Sequence, residues 1–378
     1  MSATRDRGDM GDGQSGVVLS LGGQILLRLV DPTAADVRAI ESRLGLSAIA
    51  GGPGGSPLLS IRYVASLAVD PTLRTVGKDD GAFDERSFVV RAGGRAVAIV
   101  PFEQLGQPGA EIVARRGTGV PGRLVSMLNL AMLGGHGIAL HAAAVELDGV
   151  GIAACGWSGS GKTEAMLGLM GLGGRFVGDE WTYLLDERLV GLPERIRIQD
   201  WHVAQLPWLR GPIGRTATWR MGAAARAQRG GTWLGRTPLP GVRSVARGAG
   251  RLGSRRHVDL PVGALFDASR RATSAGLDRI VLLEPSTAPG IHVEPIDPQL
   301  VARRLALAHV HHRRELLGWY WQALFAFPDR RNDLLDDIDA VERQRLEVAF
   351  AGRPALHVER PHAVDIAELA RVIARAVR

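Results

Sequence analysis

The pattern of apolar and polar positions separates a strand-rich N-terminal part of the chain from a mixed remainder. Short alternating or continuous apolar runs predict strands at 17–19, 24–30, 58–69, 87–91 and 96–100. Between them, residues 33–44 begin with the helix-capping residue Thr33 and continue with helical spacing. We therefore predict a small α+β lobe over 16–115. Residues 1–15 are polar and rich in Gly and Asp, which predicts a disordered tail.

The remainder, residues 116–378, alternates apolar runs with helix-like segments. Helical spacing is found at 124–133, 164–172, 298–327 and 364–377. Strand-like runs are found at 137–140, 150–155, 175–177, 181–185, 189–192, 193–198, 257–260, 279–283 and 356–359. This alternation favours an α/β fold in which helices surround a mixed sheet. No run reaches the apolar length of a membrane span.

One glycine-rich segment, residues 156–163, joins a predicted buried strand to a predicted helix; we call it the glycine loop. Its sequence, Gly-Trp-Ser-Gly-Ser-Gly-Lys-Thr, matches GxxxxGK[ST] at every fixed position. Backbone N–H groups hold polyphosphate only where side chains are absent, and the following helix N-terminus favours an anion. Lys162 suits the β- and γ-phosphates, and the Thr163 hydroxyl suits Mg²⁺. The candidate nucleotide-binding residues are Gly156, Trp157, Ser158, Gly159, Ser160, Gly161, Lys162 and Thr163.

Acidic residues follow two of the predicted strands. Asp179 and Glu180 come after the strand at 175–177, where they suit Mg²⁺ binding and a general base. The alternative for this pair is a solvated acidic turn. Glu284 ends the apolar run at 279–283, as in a Walker B strand, but an ordinary core strand that ends in a surface acid explains it equally well.

The stretch 137–181 resembles the core of the HPr serine kinase/phosphorylase group. It is more similar to the smaller bacterial relatives of that group, which include serine kinases that modify ribosomally made peptides. The likeness rests on His141 at the end of an apolar strand, a polar hairpin at 146–149, the glycine loop, and the run Arg-Phe-Val-Gly-Asp-Glu that ends at Glu180. The resemblance implies a phosphate-loop kinase of the phosphoenolpyruvate-carboxykinase-like type that uses ATP and Mg²⁺.

The resemblance also implies roles for single residues. Asp179 would be the catalytic base or a metal ligand, Lys162 would hold the phosphates, and His141 would sit beside the acid and tune it. Glu180 stands where the family usually has a second Asp, and its carboxylate can still ligate metal. In the family, a Glu or Arg on a later strand completes the site, and here Glu194 or Arg197 occupies a comparable place. A structural histidine and a surface strand are the alternatives for His141 and for the later strand.

Composition limits the compartment and the partners. The single cysteine, Cys155, excludes a disulfide framework, and the N-terminus shows no targeting signal, so we expect a cytoplasmic protein. The net charge of +7 suits a nucleotide, an acidic peptide or nucleic acid equally well. No nucleic-acid recognition module accompanies the arginines, so nucleic acid is not the expected partner. A homo-oligomer is left open.

Two basic segments allow more than one interpretation. Residues 210–256 contain Arg, Gly and small residues without an acid, which predicts a mobile insertion or a lid with Arg255 and Arg256 as phosphate contacts. His309, His312 and Glu315 have a spacing that suits a metal, but the arginines around them favour a solvated basic face.

The preferred function from sequence is ATP-dependent phosphorylation of a hydroxyl, with a serine of a small protein or peptide as the acceptor. A nucleotide-binding regulator or ATPase without a protein acceptor is the alternative from another class. A small-molecule kinase differs from the first hypothesis only in its acceptor. The sequence lacks NKxD and an ordered transporter signature, which argues against those two nucleotide-hydrolase classes.

Overall fold

A computed structural model of the chain describes residues 9–10, 14–49, 55–69, 72–76, 81–135, 137–234 and 256–378. The N-terminal strands are β1 Asp9–Met10, β2 Gln14–Leu21, β3 Ile25–Val30, β4 Ser47–Ile49, β5 Leu59–Val64, β6 Gly81–Phe83, β7 Ser87–Ala92, β8 Arg95–Pro101 and β9 Ala110–Arg115. They form one sheet in the order β1-β2-β3-β5-β9-β8-β7-β6, with β4 paired to β2. We call it the N-terminal sheet. The predicted strands of this region are confirmed, although the one at 58–69 ends at Val64.

Helix α1, Ala34–Leu44, packs on this sheet and has both of its ends specified by sequence. The Thr33 hydroxyl accepts the Asp36 N–H at 3.2 Å while the Asp36 carboxylate accepts the Thr33 N–H at 3.1 Å, which is a capping box. Gly45 then ends the helix in the left-handed region at φ 66. Ile40 and Leu44 are fully buried in the core. The predicted helix at 33–44 is therefore confirmed.

Part of the segment 1–15, which composition predicts to be a disordered tail, is described by the structure. Residues 9–10 and 14–15 lie in β1 and β2, which pair in an antiparallel register with Asp9 opposite Ser15. Backbone pairing needs no apolar side chain, which explains why a composition-based argument overlooks it. The rest of the predicted tail lies outside the described residues.

Within the described residues the later strands form three sheets, and one of these carries the glycine loop. These strands are β10 Ile138–Leu140, β11 Ala142–Leu147, β12 Val150–Cys155, β13 Arg175–Gly178, β14 Thr182–Leu185, β15 Arg188–Gly191, β16 Ile196–Gln199, β17 His257–Leu260, β18 Ala275–Gly276, β19 Arg279–Ser286, β20 His292–Pro295 and β21 Ala355–Pro361. The sheet that carries the glycine loop has the order β13-β11-β12-β19-β21-β20, and we call it the loop sheet. In it β12, β19 and β21 are parallel while the other pairs are antiparallel. The expectation of an α/β fold with a mixed sheet is confirmed.

Helices cover both faces of the loop sheet. The helices that follow α1 in the chain are α2 Leu124–Gly134, α3 Lys162–Gly171, α4 Asp200–Gln205, α5 Arg210–Ile213, α6 Arg215–Leu234, α7 Val262–Leu265, α8 Pro298–Ala326, α9 Asp333–Asp336, α10 Ile338–Phe350 and α11 Ile366–Ala376. Alternate strand residues face α3 and α11 on one side and α8 and α10 on the other, because successive side chains of a strand point to opposite faces. Within the described part of the chain, no helix is both long enough and apolar enough to cross a membrane.

The basic segment predicted to be mobile is helical over the part that the structure describes. Residues 210–213 form α5 and residues 215–234 form α6. Ile213 of α5 and Met221 of α6 are buried in the core that contains Val203 of α4, and Ala224, one turn after Met221, is also buried. A few apolar residues on one face suffice for packing, even in a segment rich in Arg and Gly. Residues 235–255 lie outside the described residues.

Candidate functional site

The glycine loop turns from the end of β12 into the start of α3, and its backbone can be formed only by glycine at two positions. Gly156 has φ 148 and Gly161 has φ 101. A Cβ atom on Gly156 would lie 2.5 Å from the Leu283 carbonyl oxygen. A Cβ atom on Gly161 would lie 2.5 Å from the guanidinium of Arg360. The glycines of the motif are thus required by close backbone and side-chain approach as well as by φ.

Lys162 is buried with its ammonium group inside the loop. Its Nζ donates to the carbonyl oxygens of Gly156 and Trp157, at 3.2 Å in each case. Burial lowers the pKa of Lys162, and the negative charges of Glu180 and Asp179 partly counter this effect. The ammonium is therefore held between the loop backbone and an acidic pair.

Asp179 follows β13 and lies directly against the first turn of α3. The Thr163 hydroxyl is 3.2 Å from its Oδ1 and 3.1 Å from its Oδ2, and donates to this carboxylate. Burial, followed by the charge of Glu180, raises the pKa of Asp179 to about 7, against the opposing effect of the Thr163 hydrogen bond. A buried carboxyl with a pKa near neutrality has the properties of a general base.

Glu180 and His141 form the second polar pair of the site. His141 Nε2 lies 3.0 Å from Glu180 Oε2. Burial lowers the pKa of His141 to about 4, so the neutral ring donates its Nε2–H to the carboxylate. The hydrogen bond from His141 in turn lowers the pKa of Glu180. Glu180 has φ 62, a left-handed conformation that is uncommon for Glu and recurs at functional sites.

These acids and the Thr163 hydroxyl suit a hard divalent cation. Mg²⁺ prefers oxygen ligands and is typically bound by one or two carboxylates together with substrate phosphates. Thr163 and Asp179 already lie in contact, and Glu180 follows directly in the chain. In the described parts of the chain, no group of three or more His, Cys, Asp or Glu residues is placed to hold a metal by itself. The residues present fit Mg²⁺ that arrives with a nucleotide.

Arg360 is a loop contact that the sequence analysis did not find. It follows the predicted strand at 356–359 by one residue and is 3% exposed. Its Nε donates to the Ser160 carbonyl oxygen at 2.9 Å, and its Nη2 donates to the Gly159 carbonyl oxygen at 3.4 Å. These bonds link the end of β21 to the glycine loop. No local signal marks Arg360, because its partners lie about 200 residues earlier.

The histidines of α8 belong to the site, and the expected solvated basic face is wrong at His309 and Arg313. Both side chains are buried. His309 Nε2 accepts the main-chain N–H of His141 at 3.0 Å, and the His312 ring lies 3.8 Å from the His141 ring. The missed signal is spacing, because 309 and 313 continue the buried series 301 and 305 at every fourth residue. Glu315 is exposed and pairs with Arg123 instead.

Several other candidates are paired elsewhere. The buried Glu194 carboxylate pairs with Arg43 of α1. Burial raises the pKa of Glu194, and the charge of Glu180 adds to this effect. Arg197 pairs with Asp259 at 3.1 Å on the surface, so the structure does not bring it to the glycine loop.

The Walker B candidate and the lid arginines also have partners. Glu284 accepts from Arg304 at 2.6 Å and lies 2.9 Å from His357 Nε2, although its strand β19 lies beside β12. Arg256 pairs with Asp200 at 2.9 Å. Arg255 lies outside the described residues.

Three residues of the loop, Trp157, Ser158 and Gly159, remain at the surface. Trp157 is 52% exposed, and its ring lies 5.1 Å from the His311 ring. Ser158 is exposed, whereas Ser160 is buried. A cavity of about 580 Å³ lies elsewhere, between residues 184–187 and α10, and contains no residue of the glycine loop. Since this cavity does not mark the site, the site is identified from the positions and contacts of its side chains.

A scan against models of known protein families matches none of them, and a search of curated proteins finds none with significant similarity. The resemblance to HPr serine kinases thus stays a prediction from residues 137–181.

Proposed function

We propose that the chain is an ATP-dependent kinase that transfers the γ-phosphate to a serine hydroxyl of a small protein or peptide. The observation that carries this proposal is Asp179, a buried carboxyl whose pKa is about 7 and which contacts Thr163 at the end of the glycine loop. A general base is most effective when its pKa lies near the working pH, and in kinases a carboxylate accepts the proton of the substrate hydroxyl. Nucleotide binding alone requires no such group.

The loop residues would bind and orient the nucleotide. Backbone N–H groups of the glycine loop and the N-terminus of α3 suit the β-phosphate. Lys162 already lies inside the loop, and its charge suits the oxygens of the transferred phosphoryl group. Arg360 holds two loop carbonyl groups and so keeps the backbone in its glycine-dependent shape.

The acids would divide the remaining work. Asp179 would accept the proton of the attacking serine hydroxyl. Thr163 and Glu180 would hold Mg²⁺, whose charge offsets the negative charge on the β- and γ-oxygens. His141 donates to Glu180 and so fixes the direction in which that carboxylate points. Because His141 is neutral and its Nε2–H is donated to Glu180, Asp179 is the residue left to act as the base.

The proposal is tested with γ-labelled ATP, Mg²⁺ and a cell extract of the source organism. Wild type is compared with Lys162→Ala and with Arg197→Ala, a control that removes a positive charge from an exposed pair. We expect a band that wild type and Arg197→Ala label and Lys162→Ala does not, and mass spectrometry of that band identifies the acceptor. Binding or hydrolysis of ATP without any labelled protein would refute a protein acceptor. The regulator or small-molecule alternatives would then be favoured.

A further inference from the structure

The main chain at His141 passes from one sheet to another. His141 stands between β10, which pairs with β14, and β11, which pairs with β12 and β13. The residue is buried, so its main-chain N–H needs an acceptor inside the protein. That acceptor is a side chain of α8, because His309 Nε2 lies 3.0 Å from the His141 nitrogen.

This hydrogen bond fixes the protonation pattern of the His309 ring. A main-chain N–H can only donate, so Nε2 of His309 accepts and the ring proton of the neutral form lies on Nδ1. Nδ1 is 3.1 Å from Oε1 of Glu342, and the other oxygen of Glu342 pairs with Arg313. Burial raises the pKa of Glu342, but His309 and Arg313 outweigh burial and keep the carboxylate ionised.

Helix α8 also contacts the His141 ring itself. The His312 ring lies 3.8 Å from it, and the Trp181 ring lies 5.3 Å from it on the chain segment that follows Glu180. The ring is thus packed by α8 and the Trp181 segment, while its main chain is held by His309. The His141 ring faces the acidic pair through its Nε2 atom, which is 3.0 Å from Glu180 Oε2.

We propose that His309 is a positioning residue for His141: it holds the main chain where β10 passes into β11 and so directs the His141 ring toward the Glu180 carboxylate. Glu342 of α10 faces the other ring nitrogen of His309, with Oε1 3.1 Å from Nδ1. The role in catalysis rests on the proposed kinase function, but the hydrogen bond is independent of that function. In the described part of the chain, neither His309 nor Glu342 makes a hydrogen bond or ion pair with the glycine loop.

Two substitutions at the same position separate the hydrogen bond from simple packing. His309→Gln places an amide oxygen near the position of Nε2 and can still accept from His141. His309→Asn is shorter and reaches only the position of Nδ1. Glu315→Gln, on an exposed turn of the same helix, serves as the control. We expect His309→Asn to lower kcat by about 10- to 100-fold with ATP affinity unchanged, because a small misplacement of a site residue has effects of that size.

His309→Gln should recover most of the lost kcat, and Glu315→Gln should match wild type. Equal activity of His309→Asn and wild type would overturn the proposal, and so would a loss of ATP affinity that parallels the loss of kcat. Thermal unfolding of each variant identifies any that fails to fold.

The hydrogen bond from the His141 N–H to His309 can be measured independently of enzyme activity, by nitrogen NMR of wild-type protein labelled at histidine. The chain has 10 histidines, and the signals lost in His309→Gln assign His309. We expect the proton of His309 on Nδ1. A proton on Nε2 would overturn the proposal even in an active enzyme. If the expected signal is found and no acceptor is ever labelled, the proposed function fails while the assignment of the contact stands.

Discussion

Replacing Asp179 by Asn should strongly reduce phosphoryl transfer and at the same time stabilise the fold at neutral pH. Asp179 is 6% exposed, and burial is the first cause of its raised pKa. A rise from 3.8 to about 7 corresponds to about 4 kcal/mol in favour of the protonated carboxyl in the folded state. Asn resembles the protonated carboxyl in size and remains uncharged at every pH.

The direction of the pH dependence follows from the raised pKa. The folded-state pKa of Asp179 lies above its unfolded-state value, so the protonated form stabilises the fold. This stabilisation is complete below pH 3.8, declines as the pH rises, and is lost above pH about 7. Asp179→Asn keeps its neutral side chain throughout. The variant should therefore unfold at a higher temperature than wild type at pH 8, with a difference that shrinks toward pH 4.

The measurement is thermal unfolding between pH 4.5 and pH 8.5 with chelator and without nucleotide, so that no ligand contributes to stability. Asp329→Asn makes the same substitution at an exposed position and serves as the matched control. In parallel, Asp179→Asn should bind ATP and lose transfer by about 10²- to 10⁴-fold, the usual contribution of a general base.

Two results would refute this reasoning about Asp179. If the difference in unfolding temperature were zero or the same at every pH, the carboxyl would not be destabilised by its burial. If ATP binding and transfer fell together, Asp179 would be a nucleotide or metal ligand and the base would have to be sought elsewhere.

The remaining predictions concern the glycine loop. Gly161→Ala and Gly173→Ala both place Ala at a positive φ, 101 at position 161 and 97 at position 173. This conformation costs each variant about 1–2 kcal/mol of stability. Only Gly161→Ala also brings the new Cβ atom within 2.5 Å of the Arg360 guanidinium. Nucleotide titration should show lost ATP binding in Gly161→Ala alone, and equal affinities would contradict the close approach. Arg360→Lys cannot reproduce both donations to the loop, so denaturant unfolding should show about 2 kcal/mol less stability, and transfer should fall. Unchanged stability and transfer would mean that the loop holds its shape without Arg360.

The parts of the site that sequence analysis found lie in one continuous segment of the chain. The glycine loop requires glycines, Lys162 and Thr163 at fixed spacing, and Asp179 follows after one helix and one strand. Each of these features depends on local geometry, which a short segment encodes by itself. The capped helix α1 was found for the same reason, since Thr33 and Asp36 satisfy each other within one turn.

The missed parts depend on contacts between distant segments. Arg360 reaches the loop from a strand that lies two places from β12 in the sheet. His309 meets His141 across 168 residues. A histidine between arginines looks solvated in sequence, and only the packing of α8 against α10 shows that His309 and Arg313 face Glu342. Residues 210–234 are the converse case, because a composition rich in Arg and Gly conceals the few apolar residues through which α5 and α6 pack.

Helix α8 gives the N-terminal part of the chain a physical connection to the site, although that part contributes no recognisable chemistry of its own. Its first turns, through Val301 and Leu305, pack in the core of the loop sheet. Its later turns, through Leu316 and Tyr320, pack in the core of the N-terminal sheet. His309 lies between these two groups on one continuous helix. Since a helix held in two cores cannot shift in one without moving in the other, the N-terminal sheet helps to set the position of His309 and, through it, of His141.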